Sequence, residues 1–238
     1  MDKEKLKPYE VIVEHFKEFF QKNGNDSWKM INSFYEKERK IFEKHKINEL
    51  TAQGETYEEA VIKTRQSWVS IIGKSLEKIF EILIIDFCHK NNLKITNENA
   101  IKSLKLKNIE LELVYRSLIV KYGDYSVLPD SDIIIYKMIG EMPKILAILS
   151  IKNSFRERYT ETPYWKLKLL QSNFTKHIKV FMITPDKDNE ISFKNNIHKS
   201  RIVLEYELDG IYIAKLDFDA SKKIKGIETL LQDLEKLL

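Results

Sequence analysis

Two short segments of this chain carry the residue types that phosphodiester chemistry needs. Pro129-Asp130-Ser131-Asp132 runs directly into Ile133-Ile134-Ile135-Tyr136, and Ile145-Leu146-Ala147-Ile148-Leu149-Ser150-Ile151 runs directly into Lys152. Each reads as an apolar strand with polar side chains at one end, and the turn-like Gly140-Glu141-Met142-Pro143 lies between them. If the two strands pair, the acids at the start of the first meet the lysine at the end of the second. A hard divalent cation takes oxygen ligands, so a carboxylate there can hold Mg²⁺ while the lysine steadies the reacting phosphate or water. Asp130 and Asp132 are two apart along an extended chain and face the same side. Asp132 abuts the apolar strand and is the favoured ligand, with Asp130 as the alternative. One or two acids plus a backbone carbonyl suffice for Mg²⁺, and Ile151 is the candidate for that carbonyl. Ser150 and Lys152 share a strand face by the same alternation.

Other chemistries find little support. His15, His45, His89, His177 and His198 form no close pair at metal-ligand spacing, and the single Cys88 cannot build a zinc site. There is no glycine-rich phosphate loop and no Ser/His/Asp signature. Lys121-Tyr122-Gly123-Asp124 reads as a turn.

The pair of segments resembles the active-site motif of the PD-(D/E)xK nucleases, in the Ser-x-Lys variant found in some type II restriction endonucleases. The continuation Lys152-Asn153-Ser154-Phe155-Arg156-Glu157-Arg158-Tyr159 is similar to the run that follows the lysine in several such enzymes. The resemblance implies that Lys152 is the essential cation and that Asn153, Ser154, Arg156, Glu157 and Arg158 reach the DNA. In such a role Arg donates twice to guanine and an acid accepts from cytosine N4, which implies a short target containing a CC/GG element. An internal Arg158 to glutamate ion pair that shapes the site is the rival role. Ser150 sits where most of the superfamily has Asp or Glu, so one ligand is missing. Where related enzymes supply a glutamate farther along the next helix, this chain has Tyr164, Trp165 and Lys166. Glu77, Glu157 and Glu161 are left as candidates. Glu77 is favoured, because Arg65-x-Ser67, Gly73 and Glu77 look like the helix that precedes the catalytic strands in many of these enzymes.

The elements that must position these residues follow from periodicity. The first half reads as helical: Pro8 to Gln21, ended by Gly24; a second helix from Ser27; and a third from Thr56, where Thr56-Tyr57-Glu58-Glu59 is a capping box. Gly73 marks a break or a close helix contact. The polar stretch from Asn48 to Glu55 is the candidate boundary. From Arg116 the reading changes to strands: 117–120, 125–128, the two catalytic strands, 178–184, 201–206 and 210–214. A helix over 162–170 crosses back, and an amphipathic helix on Ile224, Ile227, Leu230, Leu231, Leu234 and Leu237 closes the chain. This order predicts an α/β fold, a restriction-endonuclease-like core with a mixed central sheet flanked by helices. Residues 61–238 would form that core and 1–60 a helical N-terminal subdomain.

The 238 residues, 43% hydrophobic and 32% charged, are those of a globular protein with a sizeable core. No apolar run reaches a membrane span, the charged N-terminus is not a signal peptide, and one cysteine fits a reducing cytoplasm; the resemblance implies that this cytoplasm is bacterial or archaeal. The net charge of +4 leans toward nucleic acid. Only six of the 40 basic residues are arginine, and two of the six stand at 156 and 158. The resemblance further implies double-stranded DNA as partner, a homodimer, and a cognate DNA methyltransferase as functional companion. The alternatives are a structure-specific repair or junction nuclease of the same fold, and a noncatalytic DNA-binding relative.

Overall fold

The structure, a computed structural model, describes residues 6–104, 106–155, 159–195 and 197–238. They form two compact units, Met1–Phe80 and Glu81–Leu238.

The first unit is helical. Helix α1 (Pro8–Asn23) starts on a proline, whose missing N–H costs nothing there, and ends at Gly24, which takes φ 59°. A 3-10 turn over Gly24–Trp28 follows, so the second helix, α2 (Ile31–Ala52), begins later than Ser27. Helix α3 (Tyr57–Lys90) opens on the expected box: the Thr56 amide donates to Glu59, and the Glu59 amide donates back to Thr56 Oγ1. It passes through Gly73 unbroken, and a methyl group there would meet nothing within 4 Å. Gly73 is therefore neither a break nor a close contact. The aromatic stripes of the first half are core: Phe16 packs on Trp28 and Phe34, and Trp28 stacks on Phe80.

The second unit holds a six-stranded mixed sheet in the order β1-β4-β5-β6-β7-β8. Its strands are β1 (Lys94–Thr96), β4 (Ile133–Ile139), β5 (Met142–Ile151), β6 (Lys179–Thr184), β7 (Gly210–Ile213) and β8 (Ile224–Gly226). Helices α4 (Glu98–Leu104) and α5 (Ile109–Leu118) lead into a separate hairpin, β2 (Val120–Tyr122) with β3 (Tyr125–Val127). Of the segment 117–120, expected as strand, Ser117 and Leu118 end α5, Ile119 caps it and Val120 opens β2. β1 and β4 are antiparallel, as are β4 and β5, whereas β5, β6, β7 and β8 run parallel. A parallel neighbour requires a crossover, supplied by α6 (Glu161–Leu170) between β5 and β6 and α7 (Lys199–Glu207) between β6 and β7.

Helix α7 overturns the expected strand 201–206. Ile202, Val203 and Tyr206 favour strand locally, but Arg201, Leu204 and Leu208 are the buried positions, which is helical spacing. The closing helix is shorter than expected: Ile224–Gly226 pairs with β7 as β8, and α8 (Leu230–Glu235) begins only after a 3-10 turn. Ile134, Ile148, Val180, Met182, Ile211 and Ile213 share one core with Val114 and Leu118 of α5, Leu169 of α6 and Leu204 of α7. Alternate residues of the same strands, such as Ile133, Leu149 and Ile183, are equally buried, which is why β4, β5 and β6 read as continuous apolar runs. Among the described residues no helix is long and apolar enough to cross a membrane.

Candidate active site

The β4–β5 hairpin closes on a two-residue turn, Gly140-Glu141, with Ile139 opposite Met142 and Gly140 at φ 59°. The register then sets Ile133 opposite Leu149, so the residue before β4 comes beside the end of β5. Asp132 Oδ2 accepts the Ile151 amide hydrogen at 2.6 Å and lies 3.8 Å from Lys152 Nζ. The Lys152 amide donates to Ile183 O at 3.0 Å, which fixes the strand end against β6. The Asp132 and Lys152 side chains keep 21% and 24% of their exposure, enough for a ligand to reach both. Burial raises the Asp132 carboxyl above the usual aspartate range; Lys152 and the Ile151 amide pull it down, and Asp130 pushes it up further.

Helix α6 supplies a second carboxylate. Glu161 Oε2, in its first turn, is 3.8 Å from Lys152 Nζ, so the ammonium stands between Asp132 and Glu161. Glu161 is one of the three glutamates the sequence leaves open. Ser150 is buried, and its hydroxyl meets Thr162 Oγ1 at 2.9 Å. A serine here thus ties β5 to the turn of α6 that carries Glu161. Trp165, one turn farther, donates from Nε1 to Asp130 Oδ2 at 3.2 Å, so Asp130 is engaged by the helix. Neither Glu161 nor Trp165 is marked by any local motif, since each meets a partner outside its own helix.

Glu77 lies half-buried on α3 in the first unit, whereas Asp130, Asp132, Ser150, Ile151 and Lys152 belong to the second. Asn153 and Ser154 are half-buried just past Lys152, and Phe155 is buried in the core. Arg156, Glu157 and Arg158 lie outside the described residues.

The donor set suits a hard cation. Asp132 keeps Oδ1 without a hydrogen bond among the described residues, and Glu161 adds a second carboxylate on the other side of Lys152. No three His, Cys, Asp or Glu side chains gather among the described residues. That is compatible with Mg²⁺, which is held by one or two carboxylates and keeps waters or substrate oxygens as its other ligands.

A family model described as "BsaWI restriction endonuclease type 2" matches residues 101–233. The probable type II restriction enzyme HpyAORF263P of Helicobacter pylori is 53% identical over 186 residues, which is 78% of this chain and 94% of that relative. The putative type II restriction enzyme MjaVIP of Methanocaldococcus jannaschii is 45% identical over 207 residues, 86% of this chain and 91% of that relative. Among solved structures, restriction endonuclease PspGI in complex with substrate DNA shares the fold, with a TM-score of 0.63 at 15% identity over 98% of this chain and 93% of that one.

Proposed function

Because the chain belongs to the BsaWI family of type II restriction endonucleases, and so is a site-specific deoxyribonuclease, we propose that it cuts duplex DNA with Mg²⁺ at a short sequence containing a CC/GG element. The observation that carries this reading is Lys152 between Asp132 and Glu161 at the mouth of the β4–β5 pair. Asp132 and Glu161 would hold the cation, with Asp130, Glu77 and the Ile151 carbonyl as further candidates. When bound, a divalent cation polarises the phosphate and lowers the pKa of a coordinated water.

The chain's own side chains do the rest. In hydrolysis a water gives up a proton to solvent as its oxygen forms a bond to phosphorus, the ester bond breaks and the leaving oxygen takes up a proton, and negative charge builds on the phosphate oxygens on the way. The Lys152 ammonium, fixed through its own backbone to β6, stabilises that charge where it develops. The Ile151 amide holds Asp132 in place, and the Ser150–Thr162 contact holds the first turn of α6. Asn153, Ser154 and the Arg156-Glu157-Arg158 segment would read base edges. We further propose a homodimer, with a methyltransferase of the same specificity protecting host DNA.

Unmethylated phage DNA incubated with the protein and Mg²⁺ should give discrete bands whose sequenced ends share one short site. EDTA should abolish them, and Lys152→Ala should cut more slowly by about 10²–10³-fold or more. The same gel run on Asp130→Asn, Glu161→Gln and Glu77→Gln ranks the acids. Fragment ends lacking any CC or GG step would refute the specificity, and cutting that survives EDTA would refute the metal.

A further inference from the structure

Strands β5, β6 and β7 are parallel, so their carboxyl ends open on the edge that holds Lys152. The loop leaving β6, Pro185-Asp186-Lys187-Asp188-Asn189-Glu190, is built with unusual firmness for surface chain. Asp186 is wholly buried; its carboxylate accepts the amides of Glu190 at 3.0 Å and Ile191 at 3.2 Å and the Ser192 hydroxyl. Its own amide donates to Thr184 Oγ1 at 2.8 Å. Asp186 and Asn189 take φ of 41° and 60°, the left-handed region that Asp and Asn enter more readily than other non-glycine residues. From the end of β7, Lys215 Nζ donates to Asn189 Oδ1 at 2.5 Å and lies 3.5 Å from Asp186 O, over the Phe193 ring.

This frame presents Lys187 beside the reacting edge. The Lys187 amide faces Asn153 O at 3.5 Å, so the loop abuts the residue that follows Lys152. Its side chain is exposed and has no ion-pair partner among the described residues, whereas the nearby Lys215 is already engaged inside the loop. We infer that Lys187 is a DNA-backbone contact that positions the strand being cut, with Asp186 and Lys215 as the residues that position Lys187. The inference rests on the duplex-DNA reading above. A contact of this kind neutralises one phosphate and adds affinity without sequence preference.

The test measures duplex binding as a function of monovalent salt in a Lys152→Ala background, where cutting is suppressed. Lys187→Ala should lower the slope of log K against log salt by about 1 and weaken binding about eightfold at 0.1 M salt, equally for cognate and unrelated duplexes. Lys187→Arg should restore both. Lys222, exposed near the opposite edge where β8 begins, is the control whose replacement by alanine should leave the slope unchanged. An unchanged slope in Lys187→Ala, with a salt-dependent parent, overturns this inference and leaves the nuclease reading standing. An equal fall in Lys222→Ala also overturns it, by reducing the effect to net charge. A parent that binds no duplex overturns both.

Discussion

Burial favours the neutral form of Asp132, yet a carboxylate that holds a cation must be ionised. The sign follows from the raised pKa. The folded state holds its proton to higher pH than the unfolded chain does, so ionisation costs stability as pH climbs past the ordinary aspartate value of 3.8. Asp132→Asn removes that cost while keeping an oxygen for the Ile151 amide. We expect this variant to lose nearly all cutting and yet melt about 1–2 °C higher without added divalent cation; a lower melting temperature would show that the Lys152 pairing outweighs burial. Asp132 and Lys152 were legible in the sequence because each directly abuts an apolar run whose strand character fixes where it ends. Glu161 was not singled out, since nothing in Thr160-Glu161-Thr162 tells that a hydroxyl pair with Ser150 will swing this turn toward Lys152.

The elements around the site are pinned by a buried charge. Lys166 of α6 is nearly inaccessible, and its ammonium contacts Asp209 Oδ2 at 2.6 Å and Ile178 O at 3.0 Å. Asp209, in the α7–β7 turn, also accepts the Val180 amide and pairs with Lys179, so one carboxylate joins α6, β6 and β7. Burial raises its pKa, but Lys166, the Val180 amide and Lys179 together outweigh burial and hold it below the usual range. Its contribution is therefore present above pH 3.8 and drains away as pH falls through the folded value. Asp209→Ala, which strands the Lys166 charge, should cost about 3 kcal/mol in urea unfolding near neutral pH and flatten the acid dependence. Adding Lys166→Met should recover most of the loss; a double variant as weak as the single would mean that the pair acts through packing alone. Legibility differs between elements for a physical reason. β4, β5 and β6 are buried on both faces and show as unbroken apolar runs, whereas Arg201-Ile202-Val203-Leu204-Glu205-Tyr206 has strand-favouring residues on the β6–β7 crossover, where the buried Arg201 and Leu204 follow helical spacing. Ile224–Gly226 was absorbed into the closing helix because three residues are too few to show a period of two against 3.6.

At the scale of the whole molecule, one chain carries one Asp132–Lys152–Glu161 set, which is chemistry for one strand, while a duplex offers two antiparallel strands. Two copies related by a two-fold axis would present one set to each strand of a palindrome. Supercoiled plasmid separates this arrangement from a lone chain acting twice. Wild type should convert supercoiled circles to linear DNA without accumulating nicked circles. Protein co-expressed from a wild-type and a Lys152→Ala copy, purified through a tag on each, should stop at the nicked circle, since only one strand meets a competent lysine. If no doubly tagged species can be purified, or if that species linearises DNA with the wild-type product pattern, each chain works alone and the two-fold assembly is wrong. A sedimenting mass near twice 28.2 kDa for the wild-type protein is the corresponding expectation without DNA.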